Sequence, residues 1–93
     1  MSWKAVFSNN PTGSLRADVA GRIANVINSG RFGKDLRARA RNDHSWHTVF
    51  VENVYEGRGV LVGTITVYDN GRVSPRMSYS KQVGEWAERE FNK

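Results

Sequence analysis

Cysteine is missing from this sequence, which excludes a disulfide scaffold and every thiolate metal site. No apolar stretch approaches the ~18 residues of a membrane-crossing helix, and the first residues lack the apolar centre of a signal peptide. The expectation is a cytoplasmic protein. Proline is scarce, at two, and so is histidine, also at two, which leaves a small supply of imidazole acid–base groups near neutral pH. With 93 residues, the chain has room for one domain, 1–93, and one modest core. That leaves no space for a cofactor domain beside a substrate domain, and neither a cofactor nor a small-molecule substrate is expected. Internal repeats, linkers and low-complexity tracts are also lacking.

What is abundant is arginine. The net charge is +5, with ten Arg and four Lys. Residues 1–41 carry eight basic and two acidic side chains, whereas residues 42–93 carry six basic and seven acidic. The positive charge therefore belongs to the first half. It is densest in 31–41, where Arg31, Lys34, Arg37, Arg39 and Arg41 crowd together. Arginine offers a planar fork for phosphate and stacks on bases, which lysine does not. Such a patch favours RNA, DNA or an acidic protein surface as partner. The plainer reading is a solvated surface that keeps a small protein soluble.

Along the chain, residues 2–8 alternate as a first strand with Trp3 and Phe7 on one face. A turn cluster follows at 9–13. Thr12 or Ser14 then caps a helix marked by Leu15, Val19, Ile23, Val26 and Ile27 at helical spacing. Asn28-Ser29-Gly30 ends it, with Gly30 as the left-handed cap residue. Residues 34–41 have the composition of a short helix, which is the expectation here. Their alternation of Leu36, Ala38 and Ala40 with Arg37, Arg39 and Arg41 is the competing strand pattern, an extended comb of arginines.

From Trp46 the pattern is β: one strand to Tyr55, a turn at 56–59, and a second strand over 60–68. Asp69-Asn70-Gly71 is a tight-turn signal, and a third strand over 72–78 is marked as an edge by Pro75. Ser78 or Ser80 caps a last helix whose buried face is Tyr79, Val83, Trp86, Ala87 and Phe91, with Glu85 and Arg89 outside. The predicted order is β-α-(α)-β-β-β-α. The fold class is α+β, an antiparallel sheet of three to four strands with two main helices packed on one face. The predicted core comprises Trp3, Phe7, Leu15, Val19, Ile23, Ile27, Val49, Val51, Ile65, Val67, Val83, Trp86 and Phe91.

Gly30-Arg31-Phe32-Gly33 followed by Lys34 is a G-x-x-G that comes after a strand and a helix. In this it resembles a KH RNA-binding domain, whose G-x-x-G loop clamps the backbone of about four nucleotides. The resemblance implies that Gly30 and Gly33 let the loop approach phosphates while Arg31 and Lys34 supply charge. The second half, a helix, three strands and a helix, is also similar in order to a double-stranded-RNA-binding domain. The basic cluster of that family is reduced here to Lys81 beside Glu85. The aromatic motif of an RRM sheet is absent.

The histidine pair lies in Asp43-His44-Ser45-Trp46-His47. A ribonuclease or toxin would use His44 and His47 as base and acid, with Arg39 or Arg41 stabilising the phosphorane, and a metal would need Asp43 as third ligand. Three residues apart in extended chain, the two histidines face opposite sides. No catalytic residue and no metal site are therefore expected. Trp46 is the one tryptophan placed to stack on a base, because it lies near the basic segment.

In overall character, a small basic cysteine-free α+β unit without an enzyme motif, the chain is similar to phage-encoded inhibitors of the anti-CRISPR type. That likeness implies an inhibitor acting in the host cytoplasm on a CRISPR surveillance complex, an RNA–protein assembly. The residues themselves point to a non-enzymatic binder of RNA, DNA or a ribonucleoprotein. Its expected contacts are Gly30, Arg31, Phe32, Gly33, Lys34, Arg37, Arg39, Arg41 and Trp46.

Overall fold

A computed structural model describes residues 15–43 and 46–92. The expected strand at 2–8, its turn, the caps Thr12 and Ser14, the core residues Trp3 and Phe7, and His44 lie outside these residues. The described elements are α1 (Leu15–Asn28), β1 (Leu36–Asp43), β2 (Trp46–Tyr55), β3 (Arg58–Val67), β4 (Val73–Met77) and α2 (Lys81–Phe91). The strands form one antiparallel sheet in the order β1-β2-β3-β4. The α+β class and the two helices are as expected, but the order of elements is not. Over the described residues it is α-β-β-β-β-α, because the expected short helix at 34–41 is the edge strand β1.

The physical reason is the period of the segment. Paired with β2, Leu36 and Ala38 turn inward while Arg37, Arg39 and Arg41 turn outward. A helix would spread the arginines around its circumference and leave Leu36 without a matching apolar stripe. The helix preference of Ala, Leu and Arg is a few tenths of a kcal/mol per residue, and burial of Leu36 together with the β1–β2 ladder outweighs it.

One core lies between the sheet and the helices. Helix α1 contributes Val19, Ala20, Ile23, Ala24 and Ile27, and α2 contributes Val83, Trp86, Ala87 and Phe91. The sheet supplies Leu36, Val49, Val51, Val62, Ile65, Val67 and Val73 to the same cluster. The predicted core is thus reproduced over the described residues, with Leu15 only partly buried. Tyr79 is a correction: it precedes α2 and is 61% exposed. Ser80 is the N-cap of α2, but its side chain makes no capping bond; its carbonyl accepts from Val83 N–H instead (3.0 Å). Ser78 is tied to β3, its N–H and Oγ both donating to the Val62 carbonyl.

The turns behave as their residues dictate. Glu56 (φ 49°) and Gly57 (φ 77°) join β2 to β3 through two residues of positive φ, the geometry that matches strand twist in a tight hairpin. The Asp69–Gly71 turn is closed by Gly71 N–H to the Tyr68 carbonyl, and Tyr68 N–H donates to the Arg72 carbonyl, both at 2.9 Å.

Both edges of the sheet are closed by the same device. The Asn28 side-chain amide, at the end of α1, donates to the Ala38 carbonyl (2.9 Å) and accepts from Ala38 N–H (2.8 Å). The Asn92 amide, at the end of α2, does the same for Val73 of β4, at 2.9 and 2.7 Å. Each amide stands where the peptide group of a further strand would pair, which blunts an otherwise open edge. It also explains Pro75. Two residues from Val73, its backbone nitrogen faces the same outer side, where the ladder needs no donor.

Candidate nucleic-acid interface

The helices cover one face of the sheet, and the arginines of β1 lie on the other. Cross-strand register carries this outer face across all four strands. One row reads Arg39, Phe50, Thr64, Arg76, and the next Arg41, Thr48, Thr66, Ser74. Arg37 pairs with Glu52 on one side of these rows. On the other side Trp46 opens β2, on the same side as Thr48 and Phe50 and 41% exposed. Tyr68, one residue past Val67 and hence on the outer side, lies in Trp46's row and is 45% exposed. The face is therefore a column of arginine along one edge, short hydroxyl side chains in the middle, and rings along β2 and at the end of β3.

Contacts on the face order the arginines. The Arg39 guanidinium lies 5.6 Å from the centre of the Phe50 ring and 3.7 Å from a Glu52 carboxylate oxygen, with its side chain still 74% exposed. Arg37 donates through Nη1 to the carbonyls of Lys34 (2.7 Å) and Leu36 (2.9 Å), which fixes its stem at the start of the strand. By register, Arg37, Arg39, Arg41 and Arg76 share the outer face with Glu52, and Asp43 holds the register position opposite Trp46. The arginines outnumber the carboxylates, which gives a net positive field centred on Arg39 and Arg41.

The loop residues predicted with these arginines go elsewhere. Gly30 (φ 88°) ends α1 as expected, its N–H donating to the Ile27 carbonyl at 3.2 Å. The G-x-x-G that follows leads into a strand. Phe32 packs on Trp86 of α2 with ring centres 5.3 Å apart, and the Arg31 guanidinium lies 5.3 Å from the Phe32 ring and 5.5 Å from that of Trp86. Arg31 and Phe32 therefore belong to the helix layer. Gly33 has φ 153°, a value that side chains rarely adopt, so substitution there disturbs the backbone as well as any contact. Lys34 is exposed and borders a cleft of about 350 Å³ with Asn53, Tyr79, Ser80 and Gln82. The structure gathers Arg37, Arg39, Arg41 and Trp46 on one face, and leaves Gly30, Arg31, Phe32, Gly33 and Lys34 in the loop before it.

His47 lies on the helix side, in register with Val67. Its Nδ1 is buried without a hydrogen-bond partner among the described residues. Burial, and secondarily the Arg16 charge, hold its pKa below the ordinary imidazole value. Arg16 is itself held by Asp69 at 2.7 Å. His47 and the pair Arg39 and Arg41 thus stand on opposite faces of the sheet. Among the described residues no group of three His, Asp or Glu side chains is placed to hold a metal, and no helix is long and apolar enough to cross a membrane.

Phe50, Arg76 and Tyr68 were not among the expected contact residues. Arg76 joins the face only through the β3–β4 register, which local sequence does not give. Phe50 carries a weak signal, since it lies an even number of residues from Trp46. No protein family, curated protein or solved structure matches this chain.

Proposed function

We propose that this protein is a non-enzymatic nucleic-acid-binding module that docks, on free RNA or DNA or on a ribonucleoprotein, through the outer face of its sheet. The observation that carries the reading is the comb of Arg37, Arg39 and Arg41 on the face opposite the two described helices, with Arg76 across the sheet and Phe50 and Trp46 between or beside them. A face made only for solubility would scatter both signs of charge. Here guanidinium groups share one plane with rings, the combination that meets phosphates and bases together.

The test is affinity for mixed-sequence RNA and DNA across a salt series, for wild type and for Arg37→Thr/Arg39→Thr/Arg41→Thr. Threonine suits a strand, so the fold should persist. With three or four phosphates contacted, log K should fall with log salt with a slope of about −2 to −3.5, depending on whether the target is single- or double-stranded. The triple variant should lose most of the affinity and most of the slope. Arg31→Gln, in the helix layer, should bind within about twofold of wild type. A folded triple variant that binds at full strength, or a flat salt series, would overturn the reading. Capture of an acidic protein that survives nuclease treatment, with no affinity for nucleic acid, would replace it with a protein partner.

A further inference from the structure

We infer that the outer face takes a single strand, with unpaired bases stacked on its rings and the phosphates along β1. This rests on the nucleic-acid reading above and narrows it to one class of ligand.

Three features of the face point this way. The first is width. Neighbouring strands are about 4.8 Å apart, so the four-stranded sheet spans roughly 14 Å from β1 to β4. The major groove of B-DNA is about 12 Å wide, and that of A-form RNA is too narrow and deep for side chains to read. A sheet of this width, with its helices behind it, lies across a groove rather than in it. The second is relief. Side chains that read base edges in a groove must be long and polar at the centre of the element that enters. The two central strands carry Thr48, Thr64 and Thr66 together with the rings of Phe50 and Trp46 and the pair Glu52 and Leu61, while the long arginines stand on the edge strands. A centre of short hydroxyls and rings, without long cationic side chains, is a floor for bases and not a ridge that reads a groove.

The third feature is the placement of the rings. Trp46 and Phe50 lie four residues apart on β2, about 13 Å along the strand, with Tyr68 beside Trp46. Phe50 is already topped by the Arg39 guanidinium, a planar cation that can carry a base on its other side. Trp46 keeps 41% of its surface exposed, although an apolar ring of that size gains from burial. Arg37, Arg39 and Arg41 recur every second residue along β1, with Arg39 directly opposite Phe50 and Arg41 one outer-face row short of Trp46, whose own register partner is Asp43. A strand running along β1 and β2 thus meets positive charge beside Phe50 and a ring at each end. Base stacking of this kind tolerates any sequence, because every base has a π-face.

The experiment uses the full chain and labelled 12-nucleotide probes: single-stranded RNA, single-stranded DNA, and the matching duplexes, read by fluorescence anisotropy. The variants are Trp46→Leu and Phe50→Leu, which keep an apolar side chain and remove the ring. Folding is checked by circular dichroism. The expected result is single strands bound at least tenfold tighter than duplexes, each folded Leu variant weakened about tenfold, and tryptophan fluorescence quenched on binding in wild type but less in Trp46→Leu. The ratio of RNA to DNA affinity then tells which backbone is preferred. Should Phe50→Leu not fold, Trp46→Leu and the quenching carry the test. Duplexes bound as well as single strands, or Leu variants binding as wild type, would overturn the single-strand inference and leave the nucleic-acid reading standing. No affinity for any of the four probes would overturn both.

Discussion

Asn28→Ala removes both hydrogen bonds that close the β1 edge, and the structure allows the cost to be worked out. The amide makes one bond to the Ala38 carbonyl and one to its N–H, at 2.9 and 2.8 Å. A typical intramolecular hydrogen bond contributes about 0.5–1.5 kcal/mol net. These two are exposed, so water replaces them in part, and about 1–2 kcal/mol for the pair is the appropriate range. Alanine at the end of α1 recovers up to about 0.7 kcal/mol of helix preference. The net loss is then about 0.3–2 kcal/mol, or roughly 1–16 °C in Tm for a domain of this size. Asn28→Asp should cost more than Asn28→Ala. It keeps the acceptor for Ala38 N–H but turns a carboxylate oxygen toward the Ala38 carbonyl, and it places negative charge at the negative end of a helix. The freed edge offers a backbone ladder to a second chain. Thermal unfolding followed by circular dichroism, with sedimentation velocity over a hundredfold range of concentration, measures both effects. Wild type should be the most stable and Asn28→Asp the least, with concentration-dependent association in the variants. Equal Tm values in all three proteins, all monomeric, would refute the idea that the amide closes the edge.

Two further outcomes follow from the packing. Gly63→Ala would place a methyl group 2.9 Å from the Arg76 carbonyl oxygen and hard against the Met77 thioether. Met77 can swing away but the β4 backbone cannot, so a loss of about 1–3 kcal/mol is expected by urea denaturation; an unchanged midpoint would contradict that packing. His47 has a folded pKa below its unfolded value near 6.5. The unfolded chain therefore binds the proton first, and stability is complete above pH 6.5 and falls as pH drops toward the folded pKa. Urea midpoints at pH 7.5 and 5.5 should differ more in wild type than in His47→Gln, and equal differences would show that burial of the imidazole is not felt.

The local sequence determined most of the elements. Helical spacing marked α1 and α2, β-branched alternation marked β2 and β3, and Asn70-Gly71, Glu56-Gly57 and Pro75 marked two turns and an edge. These signals are local because backbone preference and the period of burial act over a few residues. The same holds for the charge, whose densest stretch, 31–41, could be read directly from the sequence. For 36–43, composition and period disagreed, and only pairing with β2 decided the matter. Whether a basic stretch is a helix or a strand depends on whether a neighbour offers a ladder and a surface for Leu36 and Ala38. Register was equally out of reach. It brings Arg76 across from Arg39 and sends His47 and Arg41 to opposite faces, and it is fixed by long-range apolar matching and by the bulge where Val51 and Glu52 change partners. The two asparagines read as helix-end residues. Only the packing of each helix against the sheet brings Asn28 to Ala38 and Asn92 to Val73, because a side-chain amide can stand in for a missing strand only once the tertiary fold has delivered it to the edge.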